Sequence, residues 1–143
     1  MELTRSIDIQ APPGAVWAVW SDVERWPEWT ASVSRVERFE QGPLAIGHRA
    51  RVRQPKLPTA VWQVTKLEVG RGFEWESVSP GARVIGYHWI EPQGSGSRVR
   101  LGIVFSGPIA RLVGWLTRSL SERYLQLEAN GLKARSEVRA KPH

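Results

Sequence analysis

Few side chains in this sequence could do chemistry, and they are of a limited kind. There is no cysteine and there are three histidines, so the chain offers no thiol nucleophile and no cysteinyl metal site. His48 and His88 are candidates for general acid–base chemistry because imidazole titrates near neutral pH. Two histidines without a third ligand do not make a zinc site, and no phosphate-binding glycine loop, dinucleotide fingerprint or nucleophile motif is present. We therefore predict neither a metal nor a nucleotide cofactor.

Arg123 and Tyr124 are the other catalytic candidates, and a C-terminal helix would position them. From Pro108 onward, apolar residues recur at spacings of three and four, which predicts one long amphipathic helix over about 109–134. Its apolar stripe consists of Ile109, Leu112, Val113, Leu116, Leu120 and Leu127. Arg123 falls within this stripe and Tyr124 at its edge. A guanidinium on a buried face needs a partner, so Arg123 is predicted to bond inside the fold or to a ligand oxygen. The alternative is a side chain that snorkels outward.

The rest of the chain predicts a sheet that this helix would cover. Residues 2–10 alternate apolar and polar side chains, which predicts a first strand. Two short helices are predicted near 12–20 and 22–26, because prolines suit a first helical turn and Ser21–Asp22 ends the first helix and caps the second. Period-two alternation with short turns follows and predicts antiparallel strands. These strands lie near 33–40, 47–54, 59–69, 72–78, 82–91 and 97–106.

Charge predicts which face of each strand points inward, because arginine and glutamate mark the outer face. The four tryptophans of residues 16–30 either anchor the short helices or border a pocket, with Trp26 and Trp29 the pocket candidates. A mostly apolar and aromatic inner surface with a few polar groups is typical of a small-molecule pocket. The predicted pocket residues are Trp26, Trp29, His48, Gln54, Trp62, Phe73, Trp75, Ser77, His88, Phe105, Leu112, Leu116, Leu120 and Arg123.

Composition limits the classes of partner. The net charge is +6, but the arginines in 48–53 and 97–102 alternate with apolar or small residues, which places them on solvated strand faces. Nucleic acid is therefore not a predicted partner. Apolar residues at 41% and charged residues at 24% are typical of a soluble globular domain. No signal peptide or transmembrane segment is predicted, so we expect one cytoplasmic domain over 1–143, monomeric or dimeric, with a frayed basic tail from about 136.

Several motifs in this order resemble those of a known superfamily. They are I-x-A-P-x-x-V-W-x-V-W-S-D-V-E-R-W-P-E-W near the start, then G-R-G-F-x-W, G-S-R-V and, on the last helix, E-x-x-G-L-K. The pattern resembles the START-like (SRPBCC) superfamily, and within it the polyketide cyclase/dehydrase branch of small bacterial proteins. The resemblance implies an α+β helix-grip fold, in which a seven-stranded curved antiparallel sheet wraps around a long C-terminal helix. It also implies a cavity for hydrophobic ligands such as lipids, sterols, polyketides or quinones, but it implies no shared catalytic residues.

Three functions follow from this sequence as hypotheses. The first is a binding or carrier protein for a hydrophobic, ring-containing small molecule. The second is a polyketide-type cyclase or dehydratase in the same cavity, with His88 as base and Arg123 or Tyr124 stabilising an enolate. The third is an interaction module that uses the basic outer face. The small number of inward ionisable groups favours binding over catalysis.

Overall fold

A computed structural model describes residues 1–141 of the chain. A first strand is followed by two short helices, six strands and two helices. The strands are β1 (Glu2–Ile9), β2 (Arg35–Arg38), β3 (Arg49–Arg53), β4 (Ala60–Glu68), β5 (Gly72–Ser79), β6 (Ala82–Gln93) and β7 (Gly96–Ser106). The helices are α1 (Pro13–Trp20), a 3₁₀ helix (Val23–Glu28), α2 (Pro108–Leu116) and α3 (Arg118–Ala140).

The seven strands form a single antiparallel sheet in the order β1-β7-β6-β5-β4-β3-β2. Strands β2 to β7 follow one another across the sheet, as short connections require. The first strand completes the order by pairing with the last, with Leu3 opposite Ile103. A register shift between Val64 and Lys66 in β4 bends that strand and increases its twist. The sheet grips the C-terminal helix, and the predicted α+β helix-grip fold is confirmed.

Aromatic residues fill the space between the inner face of the sheet and the helices. Trp20 and Phe73 are fully buried, and Trp26 and Trp75 are 2% and 4% exposed. The inner residues of β6 and β7 are buried alternately with outer arginines and glutamates, as their charge pattern predicts. These rings pack among the valine, leucine, isoleucine and alanine side chains that make up most of the buried core.

The C-terminal region differs from the single helix predicted over 109–134. It is divided at Thr117, whose backbone (φ −104°, ψ 13°) interrupts the helix between α2 and α3. The buried residues on the two sides of the break still recur at helical spacing, as Ala110, Gly114, Ser121 and Leu125. The inward stripe is therefore not the predicted apolar one, most of which lies on the outward side. Helix α3 continues to Ala140 with Ser136 buried, so residues 136–140 do not form the frayed tail that we expected. Pro142 and His143 lie outside the described residues.

Small residues let both helices approach their neighbours closely. On α2 the buried residues are Ala110 and Gly114, and a Cβ at Gly114 would lie 2.7 Å from the ring of Phe105. On α3 a Cβ at Gly131 would overlap the carbonyl oxygen of Trp29. Such contacts leave no room for a methyl group unless backbone moves.

The contact at Gly131 gives a stability prediction with a matched control. Gly131→Ala should lower the unfolding free energy by about 1–3 kcal/mol, because overpacking outweighs the better helix propensity of alanine. Gly14→Ala in α1, where a Cβ meets nothing within 4 Å, should raise it by roughly 0.5–1 kcal/mol. Urea denaturation of both variants tests this. Equal effects of the two substitutions would show that the Trp29 contact has no energetic role.

Candidate functional site

A small cavity lies between the sheet and α3. Its volume is about 60 Å³, enough for a few water molecules and well below the roughly 300–1,000 Å³ of a typical small-molecule pocket. It is lined by Trp26, Val33, Val52, Gln54, Trp62, Trp75, Gly86, Tyr87, His88, Leu101, Gly102, Ile103, Tyr124, Leu125 and Glu128. Strands β3 to β7 supply most of this lining, and α3 supplies three side chains opposite them.

His88 lies at the closed end of the cavity, on the inner face of β6. Its ring stacks on Phe73 with centroids 4.2 Å apart, and the edge of Trp20 meets it at 5.2 Å. Its Nδ1–H donates to the carbonyl of Phe73 at 3.1 Å, which leaves Nε2 as the free nitrogen of a neutral ring. Burial lowers the pKa of His88 to about 3, although the bond to Phe73 opposes this change. The imidazole is therefore neutral over the physiological range.

Glu128 lies opposite His88 on α3. Its Oε2 accepts a hydrogen bond from Nε1–H of Trp20 at 3.0 Å and lies 3.7 Å from His88 Nε2. Burial raises the pKa of Glu128 to about 7, while the bond from Trp20 acts in the opposite direction. Below about pH 7 this carboxyl group is protonated beside a neutral imidazole nitrogen. The distance is short enough for an ion pair, but burial favours the neutral forms of both groups.

The two groups differ in their affinity for a proton. Glu128, with a pKa of about 7, holds the proton in preference to His88, with a pKa of about 3, and both line the same cavity. Groups that burial shifts in this way are frequent at functional sites. Sequence reasoning missed Glu128, although its spacing from Leu125 and Leu132 places it on the buried stripe of α3.

The outer end of the cavity is bordered by the half-buried Gln54 and Trp62 and the buried Tyr124. Gln54 donates to the carbonyl of Ser32 at 3.2 Å. The Tyr124 hydroxyl donates to the carbonyl of Pro55, which connects α3 to the loop after β3. Trp62 packs on Trp75 with ring centroids 5.9 Å apart. These contacts close one side of the space between sheet and helix.

The other predicted site residues lie outside this lining. His48 is half-buried, and its Nδ1 accepts from Arg38 at 2.9 Å. Trp29 packs against Trp26, and Phe73 and Phe105 are buried in the core. Ser77 and Leu120 are half-buried.

Three predictions about side-chain direction were wrong. Leu112 and Leu116 are 57% and 66% exposed, because α2 turns Ala110 and Gly114 inward instead. Arg123 is exposed for the same reason: it lies on the side of the helix that carries Leu112 and Leu116, whereas Ala110, Gly114, Ser121 and Leu125 face inward. The structure therefore does not support the predicted bond of Arg123 inside the grip, and its exposed side chain gives it no role at the cavity.

The described residues contain neither a metal-binding cluster nor a membrane-spanning helix. Within residues 1–141 no group of three or more histidine, cysteine, aspartate or glutamate side chains is arranged to hold a metal ion. No helix in that range is both long enough and apolar enough to cross a membrane.

The fold defines a helix-grip protein with a buried polar pair at the end of an aromatic cavity. The chain belongs to the family described as polyketide cyclase/dehydrase and lipid transport, whose sequence model matches residues 1–137. A comparison with proteins of curated function gives no match.

Solved structures share the fold at low sequence identity. The Zhui aromatase/cyclase from Streptomyces sp. R1128 has a TM-score of 0.79 and 17% identity, covering 99% of this chain and 96% of that one. A protein from Thermus thermophilus has a TM-score of 0.77 and 19% sequence identity, and the match covers 99% of this chain and 100% of that one. A hypothetical protein from Helicobacter pylori has a TM-score of 0.81 and 14% sequence identity, and the match covers 95% of this chain and 88% of that one. At such identities the likeness concerns the fold alone.

The raised pKa of Glu128 predicts a pH-dependent difference between the wild type and Glu128→Gln. A carboxyl group with a raised folded-state pKa favours the fold fully below its unfolded value of 4.5, and this advantage is lost as pH rises to about 7. Glutamine stays neutral throughout. The unfolding free energy of Glu128→Gln should therefore gain about 3 kcal/mol relative to wild type across this range, at about 1.4 kcal/mol per pKa unit.

Chemical denaturation at a series of pH values measures this gain. Glu122→Gln removes a half-exposed carboxylate from the same helix and controls for the loss of one negative charge. A constant difference between wild type and Glu128→Gln from pH 4.5 to pH 8 would contradict the assigned protonation of Glu128.

Proposed function

We propose that this protein binds a hydrophobic, ring-containing small molecule between the sheet and the C-terminal helices. The observation that carries the proposal is a gradient of burial along the inner face of the sheet. Phe73, His88 and Leu101 are buried at one end, whereas Val84 and Ile103 are half-buried towards the other. Among the described residues of the inner face, only Phe105 is buried there, because its ring lies under Gly114 of α2. An apolar inner surface that narrows to a polar end suits a flat, oxygenated ligand.

The small volume of the cavity defines what must move for such a ligand to bind. A cavity of about 60 Å³ can be only the inner end of the binding site. The half-open part of the inner face supplies the rest, with Trp62 beside it as a flat stacking surface. A ring system would lie there and direct its oxygen atoms towards His88 and Glu128.

Helix α2 is the element best placed to open the site. It packs on β6 and β7 through Ala110 and Gly114, so little apolar side-chain area holds it down. The break at Thr117 separates it from α3, which stays anchored by Leu125 and Leu132 in the core. Movement of α2 about this break would widen the site and leave the grip on α3 unchanged.

The family and the structural neighbours support the proposal. The family description names polyketide cyclases, dehydrases and lipid transport, and all of these handle apolar molecules. One neighbour is an aromatase/cyclase. The identity of the ligand does not follow from either comparison.

Binding can be tested with naphthalene and 2-naphthol, which differ by one hydroxyl group. Both compounds should quench the tryptophan fluorescence of the wild-type protein. The affinity for 2-naphthol should be about 2–10-fold higher than that for naphthalene, which corresponds to one hydrogen bond. Glu128→Leu should remove this preference. Trp62→Ala should weaken both ligands by about tenfold.

Trp89→Ala is the matched control, because Trp89 lies on the outer face of β6 and bonds to Glu74. It should leave both affinities unchanged. Loss of binding in Trp89→Ala, or full binding in Trp62→Ala, would place the ligand elsewhere and refute the proposed site.

A polyketide-type cyclase or dehydratase is the second candidate, and the Glu128–His88 pair is the observation that favours it. Nε2 of His88 would take a proton from the carbon next to a ketone, and Glu128 would donate its proton to the carbonyl oxygen, which gives an enol. Attack of the enol carbon on a second carbonyl carbon of the same molecule would form the ring; the new alkoxide oxygen would take the proton from His88, and the enol hydroxyl would return its proton to Glu128. In a dehydration Glu128 would protonate the departing hydroxyl group, His88 would take the proton from the neighbouring carbon as the double bond forms, and that proton would pass back to Glu128.

Proton exchange on a model ketone separates catalysis from simple binding. Wild type should accelerate deuterium incorporation into 2-tetralone in D₂O by about 10²–10⁴-fold over buffer, the usual contribution of general acid–base catalysis. His88→Leu should abolish this acceleration while retaining fluorescence quenching by naphthalene. The rate should fall as pH rises through about 7, where Glu128 loses its proton. Ligand binding without accelerated deuterium exchange would exclude the catalytic function and retain the carrier function.

The third candidate, a basic interaction surface, receives less support. Some outer-face arginines are paired with carboxylates, as in Arg83 with Glu76 at 2.6 Å and Arg49 with Glu40 at 3.5 Å, and Arg51 and Arg100 lie over the rings of Phe39 and Tyr87. Paired arginines have less positive charge to offer to phosphates. We therefore do not propose nucleic acid as a partner.

A further inference from the structure

The outward surface of α2 is unusually apolar. Five large apolar side chains of this nine-residue helix are between 45% and 68% exposed. They are Ile109, Leu112, Val113, Trp115 and Leu116. We refer to these residues as the α2 patch. Contiguous exposed apolar surface of this kind is rare on monomeric proteins and marks interaction sites.

The arrangement of α2 is the reverse of an ordinary surface helix. Its protein-facing side carries only the small residues Ala110 and Gly114 as buried side chains, whereas the large ones point outward. The ring of Phe105 approaches Gly114 so closely that no larger residue fits there. Packing on the sheet thus excludes the large side chains from the inside and leaves the α2 patch to another apolar environment.

The patch lies beside the β5–β6 turn. The amide of Ile109 donates to the carbonyl of Gly81 at 3.0 Å, which holds the start of α2 against this turn. The exposed Val78 alternates with the inward Ser77 and projects from the outer face of the sheet. The patch therefore consists of the α2 residues alone.

Positive charge surrounds the patch. Between Glu91 and Glu122 the sequence contains no acidic residue, and α2 lies entirely within this stretch. Arg111 on α2 and Arg118 at the start of α3 are exposed, as is Arg123 one turn later. Glu122 pairs with Arg118 at 3.2 Å and is the first negative charge that follows.

We propose that the α2 patch docks on the surface of an anionic lipid bilayer. Trp115, Leu112 and Leu116 would enter the boundary between headgroups and acyl chains, while Arg111, which has no ion pair among the described residues, meets lipid phosphates. A short helix with a tryptophan-containing apolar face and flanking arginines has the composition of an interfacial helix.

The flanking charges favour a bilayer over a second copy of the chain. A symmetric dimer through the α2 patch would bring Arg111 and Arg118 of both copies together in a protein of net charge +6, and such like-charge contacts oppose association. An anionic membrane attracts the same residues. Docking would also present the half-open end of the grip, which α2 crosses, to the lipid phase. The inference goes beyond ligand binding and does not depend on it.

Vesicle flotation tests the proposal with matched variants. Wild type should bind phosphatidylcholine vesicles containing about 30% phosphatidylglycerol at about 0.1 M salt. The double variant Leu112→Ser/Leu116→Ser should bind at least about tenfold more weakly. Its control is Ile46→Ser/Val69→Ser, which removes two large apolar side chains that are 64% and 77% exposed outside α2 and the β5–β6 turn. This control should bind like wild type.

A charge variant tests the electrostatic part and guards against misfolding of the serine variant. Arg111→Gln should weaken binding to the anionic vesicles several-fold and have little effect on vesicles of phosphatidylcholine alone. Circular dichroism and melting temperatures confirm that each variant is folded.

Three results would overturn the proposal. One is the absence of wild-type binding to anionic vesicles, and another is equal binding by the double serine variant. The third is a wild-type dimer in sedimentation velocity that the double serine variant converts to monomer, because the patch would then be covered by a second copy.

Discussion

The stacking of His88 between aromatic rings is the interaction on which the structure depends. Phe73 lies against one face of the imidazole, and the edge of Trp20 meets it. The same Trp20 donates its indole hydrogen to Glu128 on α3, so one cluster joins the sheet, α1 and the last helix. Burial within these rings removes both polar groups from water and moves their pKa values in opposite directions. Packing thus sets the chemistry of the cavity.

Small residues decide how the C-terminal helices meet this cluster. Gly131 lets α3 lie against the backbone of Trp29, and Gly114 lets α2 lie against Phe105. Close approach of a helix backbone leaves no space for large side chains on the contact side. The apolar residues of α2 are therefore turned outward, where they form the patch described above. The buried pair and the exposed patch both follow from tight helix packing.

The two proposals fit one molecule without requiring each other. Helix α2 covers the proposed ligand site and is apolar on its outer side. An apolar ligand could therefore pass directly between the site and a lipid phase without entering water. The paired arginines of the outer sheet face contrast with the stretch around α2, where the sequence contains no acidic residue between Glu91 and Glu122. Charge and apolar surface are thus concentrated at the same end of the grip.

How much of this could be predicted from sequence depends on the range of the interactions. Alternation of charged and apolar residues determined the strands, their antiparallel order and the inward direction of His88, Trp75 and Leu101, because these follow from local periodicity. The helix-grip fold itself was implied by motifs that resemble those of the START-like superfamily. The helix break at Thr117, the outward direction of Leu116 and Arg123, and the role of Glu128 were decided only by tertiary packing. The inward residues of α2 are alanine and glycine, and Glu128 is a charged residue between inward leucines, so residue type favoured the wrong side of α2 and concealed Glu128. Their burial depends on contacts with Phe105 and Trp20 of other elements.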